Sequence, residues 1–412
     1  RLQSFVLGHK GVLNLLVASK PSLLDSSFSV MMRVPQLRSS LNFENKRKYF
    51  FAQLKQLRNQ ETQRRGRGGP HLQLARANVF EDSFHQLRMR TADEMRGRLQ
   101  INFRGEEGID AGGVTREWYM VLSREIFNPN YALFTAAADG ATFQPNEHSS
   151  VNMNHLDYFK FVGRVIGKAI CDEHLMDAHF TRSFYKHMLG IPVDYVDIEA
   201  IEPDYFNSLK MILNMPLADL GLELDFSAEN SIFGKRQVVD LIPNGRNIEV
   251  TDDNKLEYVQ LVSHHRMTSA IRSQIESFLD GFYDLVPPAL ITIFSPTELE
   301  LLICGLPDVD LDDLYANTEY SSFAVGDKCI QWFWEALRSF TREERAQFIQ
   351  FVTGTSKVPL DGFANLQGMR GAQKFSIHRA FGDTALLPQA HTCFNQLDLP
   401  SYGTATEVRE KL

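Results

Sequence analysis

Cysteine is scarce in this sequence of 412 residues: Cys171, Cys304, Cys329 and Cys393 are the only four, and no two stand in C-x-x-C spacing. That spacing offers neither a zinc knuckle nor a disulfide framework, so a reducing compartment, cytoplasmic or nuclear, fits best. Long apolar runs are also missing. No stretch of about 18 apolar residues occurs, and the start lacks the charged-then-apolar layout of a signal peptide, which argues against a membrane span and against secretion. Positive charge is in deficit, with 43 Lys and Arg against 51 Asp and Glu and a formal net charge of −8. Nucleic acid and anionic membrane select clustered positive charge and are therefore not expected as partners. The single basic tract, "RRGRGG" from Arg64 to Gly69, is short and reads as a flexible loop. Gly112-Gly113 is not followed by G-K-[ST] and reads as a tight turn before a helix, not as a phosphate loop. The first residue is Arg1, so the chain is expected to be a fragment of something longer.

What the sequence does have is apolar content, 43%, enough for more than one core at this length. From Phe5 to Leu37 apolar residues recur at helical spacing, with Pro21 and Pro35 as punctuation, predicting short helices. A second amphipathic helix is expected over "FENKRKYFFAQLKQLRNQ", then two helices and a strand at Leu99–Phe103, then a helix at "VTREWYMVLSREIF". In "HLDYFKFVGRVIGKAICDEHL", Phe159, Val162, Val165, Ile166, Ala169 and Ile170 share one broad helical face, and "TRSFYKHML" continues as helix. The texture changes near Asp194. "DYFNSLKMILNM" reads as helix, "LELDF" alternates like a strand, and "KRQVVDLIPNGRNIEVT" looks like two strands around a Pro-Asn-Gly turn. A long helix is then expected from Lys255 to Val286. This mixed insert predicts a small subdomain on a larger helical one. A polar, aperiodic break at Asn317–Cys329 precedes a terminal unit of its own, and no repeat at solenoid period is visible.

Chemistry concentrates in "LPQAHTCFNQLDLP", Leu387 to Pro400. Alternation places Cys393, Asn395, Leu397 and Leu399 on one face of a short strand bounded by Pro388 and Pro400, with the thiol at the strand's mouth. Cys171, Cys304 and Cys329 lie in apolar surroundings and read as small buried hydrophobes. Cys393, next to His391 and Thr392, reads either as another such residue or as a nucleophile. A metal site needs three or four ligands, and no second cluster lies near His391 and Cys393 in sequence. A thiol hydrolase stays open at this point, since its histidine can come from anywhere in the fold and the chain has 12.

The segment "LPQAHTCFNQLDLPSY" closely resembles the active-site signature of HECT-type ubiquitin ligases. "GEEGIDAGGVTREWY", "FNPNYALF", "YFKFVGRVIGKA", "FTRSFYKHMLG", "ELELLICGLPDVDLDDL", "IQWFWEAL" and "IQFVTGTSKVPL" are similar to further signatures of that family, in the family's order, from about Phe43 to the end. The upstream residues resemble the segment that precedes the domain in the very large members found in fungi, plants and animals. The resemblance implies an α+β, bilobal HECT fold. Residues 1–42 would be a helical segment upstream of the domain and 43–320 a mainly helical N-lobe, with a small α/β insert at about 195–265 that binds a conjugating enzyme. A hinge would follow at 321–328 and a small α/β C-lobe carrying the catalytic cysteine at 329–412.

The implied activity is acceptance of ubiquitin from a conjugating enzyme as a thioester on Cys393 and its transfer to substrate lysines, with no cofactor and no metal. His391 and Thr392 would orient and polarise the thiol. Asp110, in the "IDAGG" turn, would help deprotonate the attacking lysine, and Arg266 would contact the thioester region. Leu209, Leu213, Leu222, Leu224, Tyr258 and Val262 would wall the conjugating-enzyme groove. The neighbourhood of Tyr131 to Phe143 is similar to the family's noncovalent ubiquitin surface, although "TAAADGA" departs from the usual pattern. Family members continue past "VREKL" to a terminal apolar residue, whereas this sequence stops at Leu412, so ready loading with slow discharge is the expectation. Two other readings compete: a pseudoligase that binds ubiquitin or its carrier without transfer, and an unrelated thiol hydrolase.

Overall fold

The computed structural model describes residues 2–65, 69–106, 113–232, 235–305, 308–354, 358, 362–368, 371–380 and 385–412. Its architecture follows from three separate apolar cores.

The largest core is built around helix–helix contact. Its principal helices are α1 (Phe43–Arg65), α2 (Val79–Leu87), α3 (Gly113–Ile126), α4 (His155–Cys171) and α5 (Arg182–Leu189). The alternation in His71–Leu74 and Gln100–Phe103 forms β1 and β2, a parallel pair whose inward residues Leu72, Leu74, Ile101 and Phe103 are buried. Every residue of α4 from Tyr158 to Ile170 except Lys160 is buried, so this helix is enclosed all round and not only on the face its apolar spacing marks. Two glycines permit its close approach to a later helix at Arg272–Tyr283. A Cβ at Gly163 would stand 2.0 Å from the Phe278 carbonyl oxygen, and one at Gly281 would stand 1.9 Å from that of Lys160. Both positions must therefore lack a side chain.

The upstream residues fold as the expected short helices, among them Leu2–Gly8 and Lys10–Ser19. They are not a separate unit. Val6, Leu13, Val17, Leu24, Met31, Met32 and Leu37 join the largest core. Asn14 donates to the Ser40 carbonyl at 2.8 Å, and Arg38 donates to that of Thr292 at 2.7 Å.

The mixed insert has a core of its own, from Ile198 to Met267. It contains α6 (Pro203–Asn214), the antiparallel pair β5 (Ser227–Ile232) and β6 (Lys235–Asp240), and α7 (Lys255–Met267); the hairpin β3 (Phe134–Ala136) and β4 (Phe143–Pro145) precedes it on the large core. Three details differ from the sequence reading. "LELDF" is not a strand; it contributes only a bridge, Asp225 to Glu249. The partner of β6 is the upstream β5, and the Pro-Asn-Gly turn leads into a 3₁₀ turn at Gly245–Asn247. The long helix is broken at Thr268–Ile271, so α7 ends at Met267 and α8 runs Arg272–Tyr283. The break has a tertiary cause: the carbonyl of Met267 accepts from His187 Nε2 of α5 at 2.9 Å, so that helix-end group is satisfied from outside the helix.

After α9 (Pro296–Cys304) the chain enters the third core, which begins with Val309, Leu311 and Leu314. It comprises β7 (Glu319–Ser321), α10 (Lys328–Ser339), α11 (Arg342–Thr353), β8 (Ser376–Ala380), β9 (Gln389–His391), β10 (Gln396–Pro400) and α12 (Ala405–Lys411). Its sheet has the order β9-β10-β8-β7, with β8 parallel to both β7 and β10 and β9 antiparallel to β10. The expected hinge at 321–328 is thus folded into this unit. Ser321 pairs with His378, Phe323 is buried, and Asp327 lies 3.4 Å from Arg379.

Candidate active site

The antiparallel pair β9–β10 is joined by a single 3₁₀ turn, Thr392–Phe394, with Cys393 at its centre. The thiol residue is therefore at a strand mouth, as expected, but not in the strand itself: the face shared by Leu397 and Leu399 is fully buried and belongs to β10 alone. Asn395 closes the turn. Its φ of 47° is left-handed, a conformation Asn tolerates better than most residues. Its side chain, 1% exposed, donates to the Gln373 carbonyl at 2.8 Å, its N–H donates to the Thr392 carbonyl, and its carbonyl accepts from Ser376 at 2.9 Å. Sequence reasoning placed Asn395 in a strand; the tolerance of Asn for left-handed turn positions was the signal available.

On the outer face of the sheet, His391 Nε2 lies 3.0 Å from Asp398 Oδ2, and Gln396 donates to the other carboxylate oxygen at 2.6 Å. Asp398 is thereby placed to hold the imidazole ring through Nε2. Thr392 is half-buried, and the cysteine turn packs on α11, the helix that Gly354 caps with a φ of 82°. The cysteine turn also lies against the 3₁₀ turn Tyr195–Ala200, where the mixed insert begins.

The other residues expected at the site are placed as follows. Arg266 is held by Glu202 through contacts of 2.9 and 2.8 Å and stacks on the Tyr205 ring at 4.0 Å, all within the insert and its base. Asp110 lies outside the described residues. Of the expected groove residues, Leu209, Tyr258 and Val262 are buried in the insert's core, Leu213 and Leu224 are half-buried at its edge, and Leu222 is 45% exposed. Exposed Met211, Met215 and Leu256 belong to the same subdomain, and the sequence reading passed over them. The Tyr131–Phe143 stretch contains the β3–β4 hairpin, whose turn is closed by Asp139 accepting from the Ala141 and Thr142 N–H groups. Among the described residues no helix is long and apolar enough to cross a membrane.

Residues 120–412 match the model of the HECT-domain (ubiquitin-transferase) family. The chain belongs to that family. It is 51% identical over 416 residues to the E3 ubiquitin-protein ligase UPL2 of Arabidopsis thaliana. It is also 51% identical over 410 residues to the E3 ubiquitin-protein ligase HUWE1 of Mus musculus, and 47% identical over 410 residues to the E3 ubiquitin-protein ligase TOM1 of Saccharomyces cerevisiae. Each comparison covers 99% of this chain but only 11%, 9% and 12% of the respective relative. As a HECT domain, the chain has the expected bilobal α+β organisation: the largest core with the mixed insert forms the N-lobe, and the third core forms the C-lobe.

Proposed function

We propose that this HECT domain is the catalytic unit of a ubiquitin-protein ligase, with Cys393 as the thioester acceptor. The observation that carries the reading is the position of Cys393, centred in the turn at the β9–β10 mouth and flanked by the His391–Asp398 pair. In loading, the Cys393 sulfur attacks the carbonyl carbon of the ubiquitin thioester on the conjugating enzyme; the new C–S bond forms, the bond to the carrier's sulfur breaks, and the proton of the Cys393 thiol passes to the leaving thiolate. In discharge, a neutral lysine amine attacks that carbonyl, an amide forms, the amine gives up a proton and the Cys393 thiolate leaves. Exchange of one thiol for another is close to isoenergetic, so a strongly acidified thiol is unnecessary. His391 and Thr392 orient the thiol, while Asp110 is assigned to lysine deprotonation on the family resemblance alone.

The mixed insert is the docking site for the conjugating enzyme, through the exposed apolar residues Leu222, Met211 and Met215 with Leu213 and Leu224 at their edge. Arg266 supports the base of that insert through Glu202. Ubiquitin, its conjugating enzyme and substrate proteins are the partners, in the cytoplasm or nucleus, where Cys171, Cys304 and Cys329 stay free thiols. The test is incubation with activating enzyme, conjugating enzyme and ubiquitin, followed by electrophoresis with and without reductant. A ubiquitin adduct lost on reduction is expected. Hydrolysis of the carrier's thioester without such an adduct would favour a thiol hydrolase, and binding without either product a pseudoligase.

A further inference from the structure

Helix α11 presents two faces to two cores. Phe348, Ile349 and Val352 pack in the C-lobe core, whereas Ala346, fully buried, is counted in the core of the N-lobe. Gln350, four residues on, lies on the same side of the helix and faces the same neighbour. Its side-chain N–H group donates to Glu300 Oε2 at 2.8 Å and to the Thr297 carbonyl at 3.2 Å, both on α9 of the N-lobe. Glu300, 4% exposed, places its other oxygen 2.8 Å from His179 Nδ1, and the His179 side chain is 7% exposed with Nε2 3.4 Å from Asp177. A three-residue polar chain thus crosses from one lobe to the other, buried at their contact.

Two further features show that the amide is there for its donor. Gln350 is 5% exposed and its own oxygen meets no hydrogen-bond donor among the described residues, so burying this side chain carries a cost that an apolar residue would not. Burial favours a neutral His179, but Cys304 and the carboxylates of Asp177 and Glu300 outweigh it and hold the imidazole's pKa well above its ordinary value. The Glu300–His179 pair is therefore an ion pair belonging entirely to the N-lobe, and only a neutral amide has to leave it when the lobes part. An interface made this way can open without stranding an unpaired charge. The same helix reaches the active site: α11 packs on β9 and on the cysteine turn.

We propose that Gln350 is a positioning residue, a reversible latch that seats the cysteine-bearing lobe on the Glu300–His179 ion pair for discharge of ubiquitin onto lysine. Discharge is the step served because the docked carrier has by then left, and only contacts within the chain still orient the thioester. The inference rests on Cys393 carrying ubiquitin, and its test separates the two. The chain is charged with ubiquitin, the charging reaction is quenched, free lysine is added, and loading and discharge are timed separately. Gln350→Glu sets a carboxylate against Glu300; its loading is expected to match the parent, and its discharge to slow by roughly tenfold. Gln350→Met, of similar length and without charge, should lose only about threefold. Thermal unfolding of the Met variant checks folding should Gln350→Glu itself not fold. A Met variant as slow as the Glu variant, a loss of loading in Gln350→Glu as large as its loss of discharge, or parental discharge by both variants would overturn the latch. A parent chain that never loads would instead overturn the thioester reading.

Discussion

Asp398 fixes what its neighbours can do. By holding His391 through Nε2 and Gln396 through its amide, it ties both strands of the cysteine hairpin together on their outer face. That arrangement suits an orienting imidazole, and magnitudes separate this role from an obligatory base. Removal of a general base costs on the order of 10²–10⁴ in rate, whereas loss of one orienting contact in a near-isoenergetic exchange costs far less. His391→Ala is accordingly expected to slow loading by less than about tenfold in single-turnover assays; a loss beyond a hundredfold would make His391 the base. The sequence showed Cys393 at a strand mouth because two prolines and an alternating apolar pattern frame it. It did not show that Asn395 ends the turn, because alternation was carried through a residue whose positive φ interrupts it.

Elements were legible where their own residues determine them. Helix α4 and the helix at Arg182–Leu189 carry strong apolar periodicity and were expected; the Ser295/Glu298 and Thr341/Glu344 capping boxes that open α9 and α11 were signals the sequence reading did not use. Elements that depend on a distant partner were not legible. A strand needs a paired neighbour, and "LELDF" finds only a bridge, while the unremarkable "SAENSI" pairs with β6 over its full length. Burial also re-sorts the expected groove. Tyr258, 7% exposed and 5.8 Å from the Phe226 ring, is part of the insert's core, so Tyr258→Ala should cost about 3 kcal/mol of stability. It therefore cannot report docking cleanly. Leu222→Asp can, because an exposed side chain is replaced at a stability cost within about 0.5 kcal/mol. Loading from the conjugating enzyme is expected to fall by about tenfold or more with an unchanged melting temperature; normal loading would remove Leu222 from the docking surface.

At the scale of the whole molecule, more than one core was foreseeable from length and apolar content, but the boundaries of the three were not. The upstream helices carry apolar residues whose partners lie in the N-lobe, so a segment that reads as separate is integral to it. The polar stretch after Asn317 reads as a linker because its apolar residues are few, yet Tyr320 and Phe323 suffice to fold it onto the C-lobe. In the proposed reading the functional centre is Cys393, in the C-lobe turn that meets the start of the insert. The most direct measurement changes the bond that this residue forms. Cys393→Ser, incubated with activating enzyme, conjugating enzyme and ubiquitin, should accumulate an oxygen ester that survives reductant but is cleaved by alkali, while Cys393→Ala forms no adduct and Cys171→Ala, Cys304→Ala and Cys329→Ala keep the reductant-sensitive one. A reductant-sensitive adduct persisting on Cys393→Ser or Cys393→Ala would place the thioester on another residue and contradict the central claim.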